Sequence, residues 1–538
     1  MNVILTLCLL LGALMPFSSA YAATGEASAQ SASPMLVELT KTKLSKMPAV
    51  LEKLEAEGAD AYLPLFRTWL AGNLYYVKSD RTLVEKVGSG KQVTYQVMFS
   101  GESRSDITKK QVKKVKVNNK LRSLLRSVIA RIQLTSENPK VREGAVRELL
   151  AKLDKNLIGI LETLYVEEES RDVKAMMGTA LSLFAASDKS NSQSVRLSAI
   201  EDLSESLEND VRNGLTKLTN DSNEAIVAAA EKALVSINQR VERYALVDQL
   251  FFGLSLGSVL LLASIGLAIT FGVMGVINMA HGEMIMLGAY TTYVVQLMMP
   301  NHIDYSIWVA IPAAFLVSGL MGVLIERLVI CRLHGRPLET LLATFGISLI
   351  LQQLVRTIFS PLNRQVSTPS WMSGSLEINP VLSLTLNRLY ILAFALLVFM
   401  ALVLLLKKSS LGLNVRAVSQ NRNMAKAMGV KTEWVDAMTF GLGSGIAGIA
   451  GVALSQLTNV GPNLGQSYII DSFMVVVFGG VGNLMGTLVA AFTLGIANKF
   501  LEPTTGAVLA AILVLVFIIL FIQKRPKGLF PQKGRAAE

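Results

Sequence analysis

The chain is poor in the residues that carry covalent and metal chemistry. Its 538 residues include two cysteines and three histidines. Cys8 lies in the apolar leader and Cys331 at the end of an apolar run, so no disulfide framework is possible once the leader is gone. Residues 23–249 contain no histidine. No His-Glu-x-x-His or Gly-x-Ser-x-Gly stretch occurs, and His281 has no partner at motif spacing, which argues against an intramembrane enzyme. A phosphate loop is also missing. Gly88-Ser89-Gly90-Lys91 lacks the first glycine of that motif, and Gln92 stands where Ser or Thr would bind magnesium. Any ATP-derived energy must therefore come from another chain.

Charge is scarce as well. Only 17% of residues are charged and 51% are hydrophobic, the balance of a membrane protein. Residues 23–249 hold 33 Lys+Arg and 30 Asp+Glu, and residues 250–538 hold 18 and 10. A charge-rich soluble part thus precedes a membrane part. The net charge of +11 comes mostly from loops of the second half, a footprint of membrane topology that calls for no nucleic acid.

Residues 3–15 are apolar and Ala20-Tyr21-Ala22 fits a small-x-small cleavage pattern. Residues 1–22 read as a secretory signal, 23–34 as a linker and 35–245 as a mainly helical periplasmic domain. Residues 35–76 read as helical, and 83–99 as a small β-hairpin turning at Gly88–Lys91. A repeat follows. Val141, Val173, Val195 and Ile226 start it, Ala145, Met177, Ala199 and Ala230 come next, then Leu149, Leu181, Leu203 and Leu234. The first three starts precede Arg142, Lys174 and Arg196, and the starts are 32, 22 and 31 residues apart. The pattern suits a HEAT-like stack or an ordinary helical bundle.

The second half reads as a polytopic α-helical bundle of about nine spans, at roughly 250–276, 282–299, 306–330, 338–358, 389–406, 435–457, 468–482, 485–500 and 504–523. The runs 468–482 and 485–500 are two spans or one broken element. With the N-terminal domain outside, Arg327, Arg332, Arg336, Lys407, Lys408, Arg416, Arg422, Lys426, Lys431, Lys524, Arg525, Lys527, Lys533 and Arg535 fall inside. Arg356, Arg364, Arg388 and Lys499 fall outside, so Lys and Arg favour the inside as the positive-inside rule requires. The tail, 532–538, is then cytoplasmic, and no cytoplasmic segment is long enough for the output domain of a sensor.

Two further features are informative. Gly441, Gly443, Gly445, Gly448 and Gly451 share one run, and Gly479, Gly480, Gly482 and Gly486 follow, which suits close helix packing or breaks around a solute path. Polar residues within apolar runs are the candidates for a path or gate: Asn278, His281, Glu283, Thr344, Gln352, Gln456 and Asn483. Asn278, His281 and Glu283 equally suit a satisfied helix junction. Asp471 reads as an interfacial carboxylate near a run end, and adjacent Gln352 and Gln353 cannot both face one lumen.

The basic loop 411–430 lies between two runs and reads as two short helices. Asn421 caps the second and Gly429 ends it, while Val415, Val418, Ala425 and Met428 keep an apolar spacing. Such a loop lies on lipid, docks a partner or only fixes topology. It resembles the ATPase-coupling loop of ABC-importer permeases of the branched-chain amino acid permease family, through Arg416, Ala417, Val418, Gln420, Asn421, Ala425, Met428 and Gly429. Arg422-Asn423 stands where relatives often carry Pro-Glu. Asn278-x-Ala280-His281-Gly282-Glu283, Leu342–Ser348, Phe478–Gly486 and Arg525–Phe530 extend the resemblance over 250–531. The N-terminal extension, with Val117–Arg122 its most recognisable piece, is similar to that of urea-importer permeases.

This resemblance implies a permease without cofactor in the bacterial inner membrane, carrying urea or short amides. It further implies a second related permease, two cytoplasmic ABC ATPases and a periplasmic solute-binding protein. Branched-chain amino acid transport and a passive urea channel are the alternatives.

Overall fold

The computed structural model describes residues 34–531, apart from 43–45, 59–60, 88–93, 101, 103, 105–110, 154 and 334. The expected signal, residues 23–33 of the linker, the turn at 88–91 and the 532–538 tail lie outside the described residues. The chain forms two compact units that divide between Arg240 and Val241, ahead of the boundary expected near 245–250.

The first unit begins with α1 (Pro34–Lys41), α2 (Met47–Gly58) and α3 (Leu63–Ala71). Gly72, at φ 75°, ends α3 and donates its N–H to the Thr68 and Trp69 carbonyls. Leu74–Val77 then forms strand β1, within the stretch expected to be helical. Its run Leu-Tyr-Tyr-Val is aromatic and β-branched, and helix propensity gives way to sheet pairing. β2 (Leu83–Val87) and β3 (Thr94–Val97) pair antiparallel, Val87 opposite Thr94, as the hairpin reading requires. With β4 (Val112–Lys114) they form a four-stranded sheet in the order β3-β2-β1-β4.

Six helices follow: α4 (Asn119–Leu134), α5 (Pro139–Leu149), α6 (Lys155–Glu167), α7 (Arg171–Ser187), α8 (Gln193–Leu203) and α9 (Asn209–Leu218). The repeat marks real helix starts. Val141, Val173, Val195 and Ile226 are each the third residue of α5, α7, α8 and α10 (Glu224–Met274). The uneven spacing has a structural cause. α6 and α9 are inserted in the long intervals, and no helix lies between α7 and α8. The array is therefore not a strict two-helix repeat.

The repeated basic residue has an equivalent task in two of its copies. Arg142 forks onto Glu168 at 2.7 and 2.8 Å, just before α7. Arg196 reaches Asp221 at 2.7 Å, just before α10, and donates to the Ala186 carbonyl. Each ties a helix to the loop that launches the next marked helix.

The second unit contains the rest of α10, then α11 (His281–Met298), α12 (Ile303–Leu328), α13 (Pro337–Phe359), a β5–β6 hairpin (Ser375–Glu377, Ser383–Thr385) and α14 (Leu386–Lys408). Two short helices, α15 (Ser410–Gln420) and α16 (Arg422–Ala427), lead to α17 (Thr432–Ser455), α18 (Leu464–Gly479), α19 (Leu484–Thr505) and α20 (Ala507–Lys524). Helices occupy all nine apolar runs, but among the described residues seven helices are long and apolar enough to cross a membrane. α11 and α18 are not among them. α11 carries His281, Glu283, Thr291, Thr292 and Gln296, and α18 is only 16 residues long.

Glycines bring the helices together. A Cβ on Gly282 would stand 2.5 Å from the Gly465 oxygen, and one on Gly465 would stand 1.9 Å from the Gly282 oxygen, so α11 and α18 touch backbone to backbone. Gly266 and Gly443 join α10 to α17 in the same way. Gly445 and Gly448 of α17 meet Phe315 and Ala314 of α12, and Gly451 meets Ile285 of α11. The packing has a repeat of its own. α10–α13 and α17–α20 meet along α10/α17 and α11/α18. The α12–α17 contact has its counterpart between α10 and α19, where Gly253 and Gly257 meet Gly495 and its neighbours. The two helices that fall short of a span hold the same place in each set.

Element ends gather at two rims. At one, Gln296 holds Ser367, Asp304 holds Ser370, and Arg364 bridges Val460. At the other, Val273 packs on the α15–α17 junction and Asn483 donates to the Phe530 carbonyl.

Two outcomes test this account. Gly465→Ala is expected to push α18 from α11 and lower the thermal midpoint in detergent. Gly346→Ala, with open space at its Cβ in mid-helix, should be neutral or stabilising by up to about 1 kcal/mol. Equal melting of both variants would refute the close contact. For the first unit, the Arg142 and Arg196 hydrogen bonds hold the Glu168 and Asp221 carboxyls below their usual values. A depressed folded pKa gives stability that is present above the unfolded value and is lost as pH falls through the folded one. Residues 34–240 expressed alone should therefore lose stability on acidification below about pH 4, and Arg142→Met/Arg196→Met should flatten that loss. An unchanged acid profile in the double variant would count against the pairs.

Candidate functional site

α13 carries polar residues at every fourth position: Thr340, Thr344, Ser348 and Gln352, all buried. Leu338, Leu342, Leu349, Leu354 and Ile358 on its other faces are exposed. The helix is polar inward and apolar outward, which suits a lipid-facing span whose inner side meets protein. Gln352 is buried and Gln353 exposed, as their spacing demands.

The inward stripe faces the start of α11. The Glu283 carboxylate is 1% exposed, and its Oε1 accepts from Ser348 Oγ at 2.9 Å and Gln352 Nε2 at 2.8 Å. Thr344 Oγ1 accepts from the Met279 amide at 3.1 Å. Asn278 Oδ1 takes the Ala280 amide, closing the turn that starts α11. His281 Nε2 lies 2.9 Å from the Ala263 carbonyl of α10. Among the described residues, Asn278 Nδ2, His281 Nδ1, Glu283 Oε2 and Tyr290 Oη are buried without a hydrogen-bond partner. The structure thus brings four expected residues, Asn278, Glu283, Thr344 and Gln352, to the seam between α11 and α13, while the His281 ring turns to α10. Ser348 and Tyr290 belong with them and were not singled out. The four-residue spacing of the α13 stripe is the signal that finds Ser348.

Two candidates lie elsewhere. Gln456 lines a cavity of about 80 Å3 with Trp308, Trp371 and Tyr390, and its Oε1 has no partner among the described residues. Asn483 caps α19, taking the Met485 and Gly486 amides, so its side chain is spent on the α18–α19 turn. Asp471 is half-buried in mid-α18 and is not interfacial at a helix end, because the helix starts at Leu464.

The 411–430 loop folds as two helices. Asn421 Oδ1 accepts the Met424 amide at 2.9 Å, capping α16. Gly429, at φ 86°, ends it, with Val430 N–H on Ala425 O and Gly429 N–H on Lys426 O. Val415, Val418 and Ala425 form a buried nucleus with Val435, against which Ala417 packs. Met428 does not join them. It is 78% exposed, beside exposed Met424, because it is the capping residue that turns away at the helix end. Arg416 donates to the Leu406 carbonyl, and Gln420 is exposed.

Residues 249–523 match the family described as "Branched-chain amino acid transport system / permease component". The chain belongs to this family. The high-affinity branched-chain amino acid transport system permease protein LivH of Salmonella typhimurium is 30% identical over 295 residues, 53% of this chain and 94% of the relative. BraD of Pseudomonas aeruginosa, a permease of the same description, is 28% identical over 298 residues, 54% and 96% respectively. The ribose import permease RbsC of Bacillus subtilis is 32% identical over 113 residues, 20% of this chain and 35% of the relative. No solved structure matches the chain. As a permease of this family it is a multi-pass inner-membrane transport protein, and the apolar outer face of α13 agrees.

The polar stripe makes a stability prediction. Gln352→Leu removes one of two donors from the buried Glu283 oxygen and should destabilise the chain by about 1–3 kcal/mol, read as a lower detergent melting midpoint. Gln353→Leu, on the exposed side, should stay within about 0.5 kcal/mol. Equal losses would mean that α13 does not present this face inward.

Proposed function

We propose that the chain is the permease subunit of an ATP-driven importer for urea or short amides. The carrying observation is the buried polar set between α11 and α13. Glu283 Oε2, Asn278 Nδ2 and Tyr290 Oη offer acceptor and donor groups with no protein partner among the described residues. A planar amide supplies matching N–H and carbonyl groups. Among the described residues of the second unit, the buried charged side chains include Glu283, Glu326 and Asp436 and no Lys or Arg. A free amino acid would bring a carboxylate that finds no buried cation there. Branched-chain amino acids are the second reading, favoured by what LivH and BraD are named for. A passive channel is the third.

On this reading the N-terminal unit is periplasmic behind a secretory signal, and the rim of α15–α16 is cytoplasmic. Two ABC ATPases dock there, a second related permease completes the path, and a binding protein delivers solute from outside. α11 and α18 count as the two remaining of nine crossings, the first largely buried in protein and the second short. The exposed Met424, Met428 and Leu413 suit docking. A docked apolar side chain contributes about 1.5–3 kcal/mol, and an exposed charge pair about 0–1.

The test co-expresses the chain with its partner subunits and measures uptake of labelled urea and labelled leucine, ATPase co-purification and membrane abundance. Urea uptake that requires ATP, with the ATPase retained, is expected. Met428→Asp should abolish uptake at normal abundance and Lys426→Ala should reduce it less. Leucine uptake without urea uptake would select the second reading. Urea flux without ATPase retention would select the channel. Normal uptake in Met428→Asp would remove the docking role.

A further inference from the structure

α16 meets the start of α17 through an ion pair that the apolar nucleus does not explain. Arg422, the first residue of α16, places Nη1 3.2 Å from Asp436 Oδ1 and donates Nη2 to Oδ2. The Asp436 side chain is 1% exposed and that of Arg422 34%. A forked guanidinium–carboxylate contact fixes direction as well as distance. The neighbouring cluster of Val415, Val418, Ala425 and Val435 is non-directional and tolerates sliding. A second strap lies at the same end of α17. Arg327 of α12 sits 5.6 Å from the Trp434 ring centroid and 3.8 Å from the buried Glu326 carboxylate. Beyond these straps α17 is in backbone contact with α10, α11 and α12 through Gly443, Gly448 and Gly451.

We propose that the Arg422–Asp436 ion pair is the tie that carries displacement of the short helices α15–α16 into α17, and through α17 into the bundle. Arg422 is a positioning residue here. It holds the coupling element at a fixed angle to the span that moves. This rests on the importer reading above and adds to it a specific route of transmission. Without the pair, α15–α16 keep their cap, their apolar nucleus and their exposed methionines, so an ATPase still docks. Its stroke then slips at the nucleus and does not turn α17.

The experiment uses the full complex with its partner subunits, labelled urea and leucine as probes, and four variants: Arg422→Ala, Asp436→Asn, Arg422→Lys and the exchange Arg422→Asp/Asp436→Arg. Membrane abundance, ATPase retention, ATP hydrolysis and uptake are measured on each. Arg422→Ala and Asp436→Asn are expected to keep abundance, retention and hydrolysis while uptake falls by about tenfold or more. Arg422→Lys, which keeps the charge without the fork, should recover part of the uptake, whether or not the buried exchange folds. Recovery in the exchange variant adds independent support. Parental uptake in Arg422→Ala would overturn the tie. So would loss of ATPase retention in Arg422→Ala, which would assign the pair to the shape of the docking surface. A parental complex that retains no ATPase would defeat the importer reading, and the tie with it. That result is distinguishable because it appears before any variant is compared.

Discussion

Backbone contact between helices is the constraint on which the second unit depends. Lipid is as apolar as leucine, so burial of apolar side chains does not drive helices together in a bilayer, and close van der Waals approach must do so. Gly266 with Gly443 and Gly282 with Gly465 remove the Cβ atoms that would hold α10 from α17 and α11 from α18. Once these four helices touch, most of α11 is buried against protein, which is why it can carry polar side chains without presenting them to hydrocarbon.

The same enclosure sets the terms for charge. A buried carboxylate loses its hydration and must be paired or hydrogen-bonded. The second unit meets this demand in three ways. Asp436 is forked by Arg422, Glu283 is held on one oxygen by a hydroxyl and an amide, and Glu326 has the neighbouring guanidinium of Arg327 at 3.8 Å. Only the first arrangement engages both oxygens with a cation. The second leaves Glu283 Oε2 without a partner among the described residues, an arrangement suited to a visiting donor. The fully matched charge joins α16 to α17, and the half-matched one faces the stripe of α13.

Much of this was legible in the sequence because membrane physics writes in a plain code. The apolar runs became helices, the dense glycines became backbone contacts, and α16 is capped by the Asn421 side chain and ended by Gly429, which has no Cβ to resist a positive φ. What was not legible depended on tertiary partners. Met428 kept helical spacing with Val415 and Val418, yet the chain turns at that residue and exposes it. Asn483 looked like a path residue because polarity alone does not distinguish a ligand contact from a helix cap. Leu74–Val77 continued an apolar helical stretch, and only β2 and β4 on either side made it a strand. Run length alone does not register how much polar surface α11 carries, and among the described residues seven of the nine runs form helices long and apolar enough to cross a membrane. Ser348 is legible only through the four-residue spacing it shares with Thr340, Thr344 and Gln352, because a lone hydroxyl in an apolar run does not mark itself.

The glycine contacts also decide where the bundle can change shape. At Gly448, Gly451 and Gly465 a single added carbon would collide with backbone, so there is no slack for α10, α11, α12, α17 and α18 to slide on one another. Packed interfaces of this kind shift as blocks and do not deform continuously. α13 and α14 are different. Both are largely exposed in the single chain, and α13 meets α11 through hydroxyl and amide side chains. The polar seam between α11 and α13 is thus held by side chains, and Gly346 of α13 has open space at its Cβ. That seam holds Glu283, so on the proposed importer reading a gate there and the solute-binding groups are one structure.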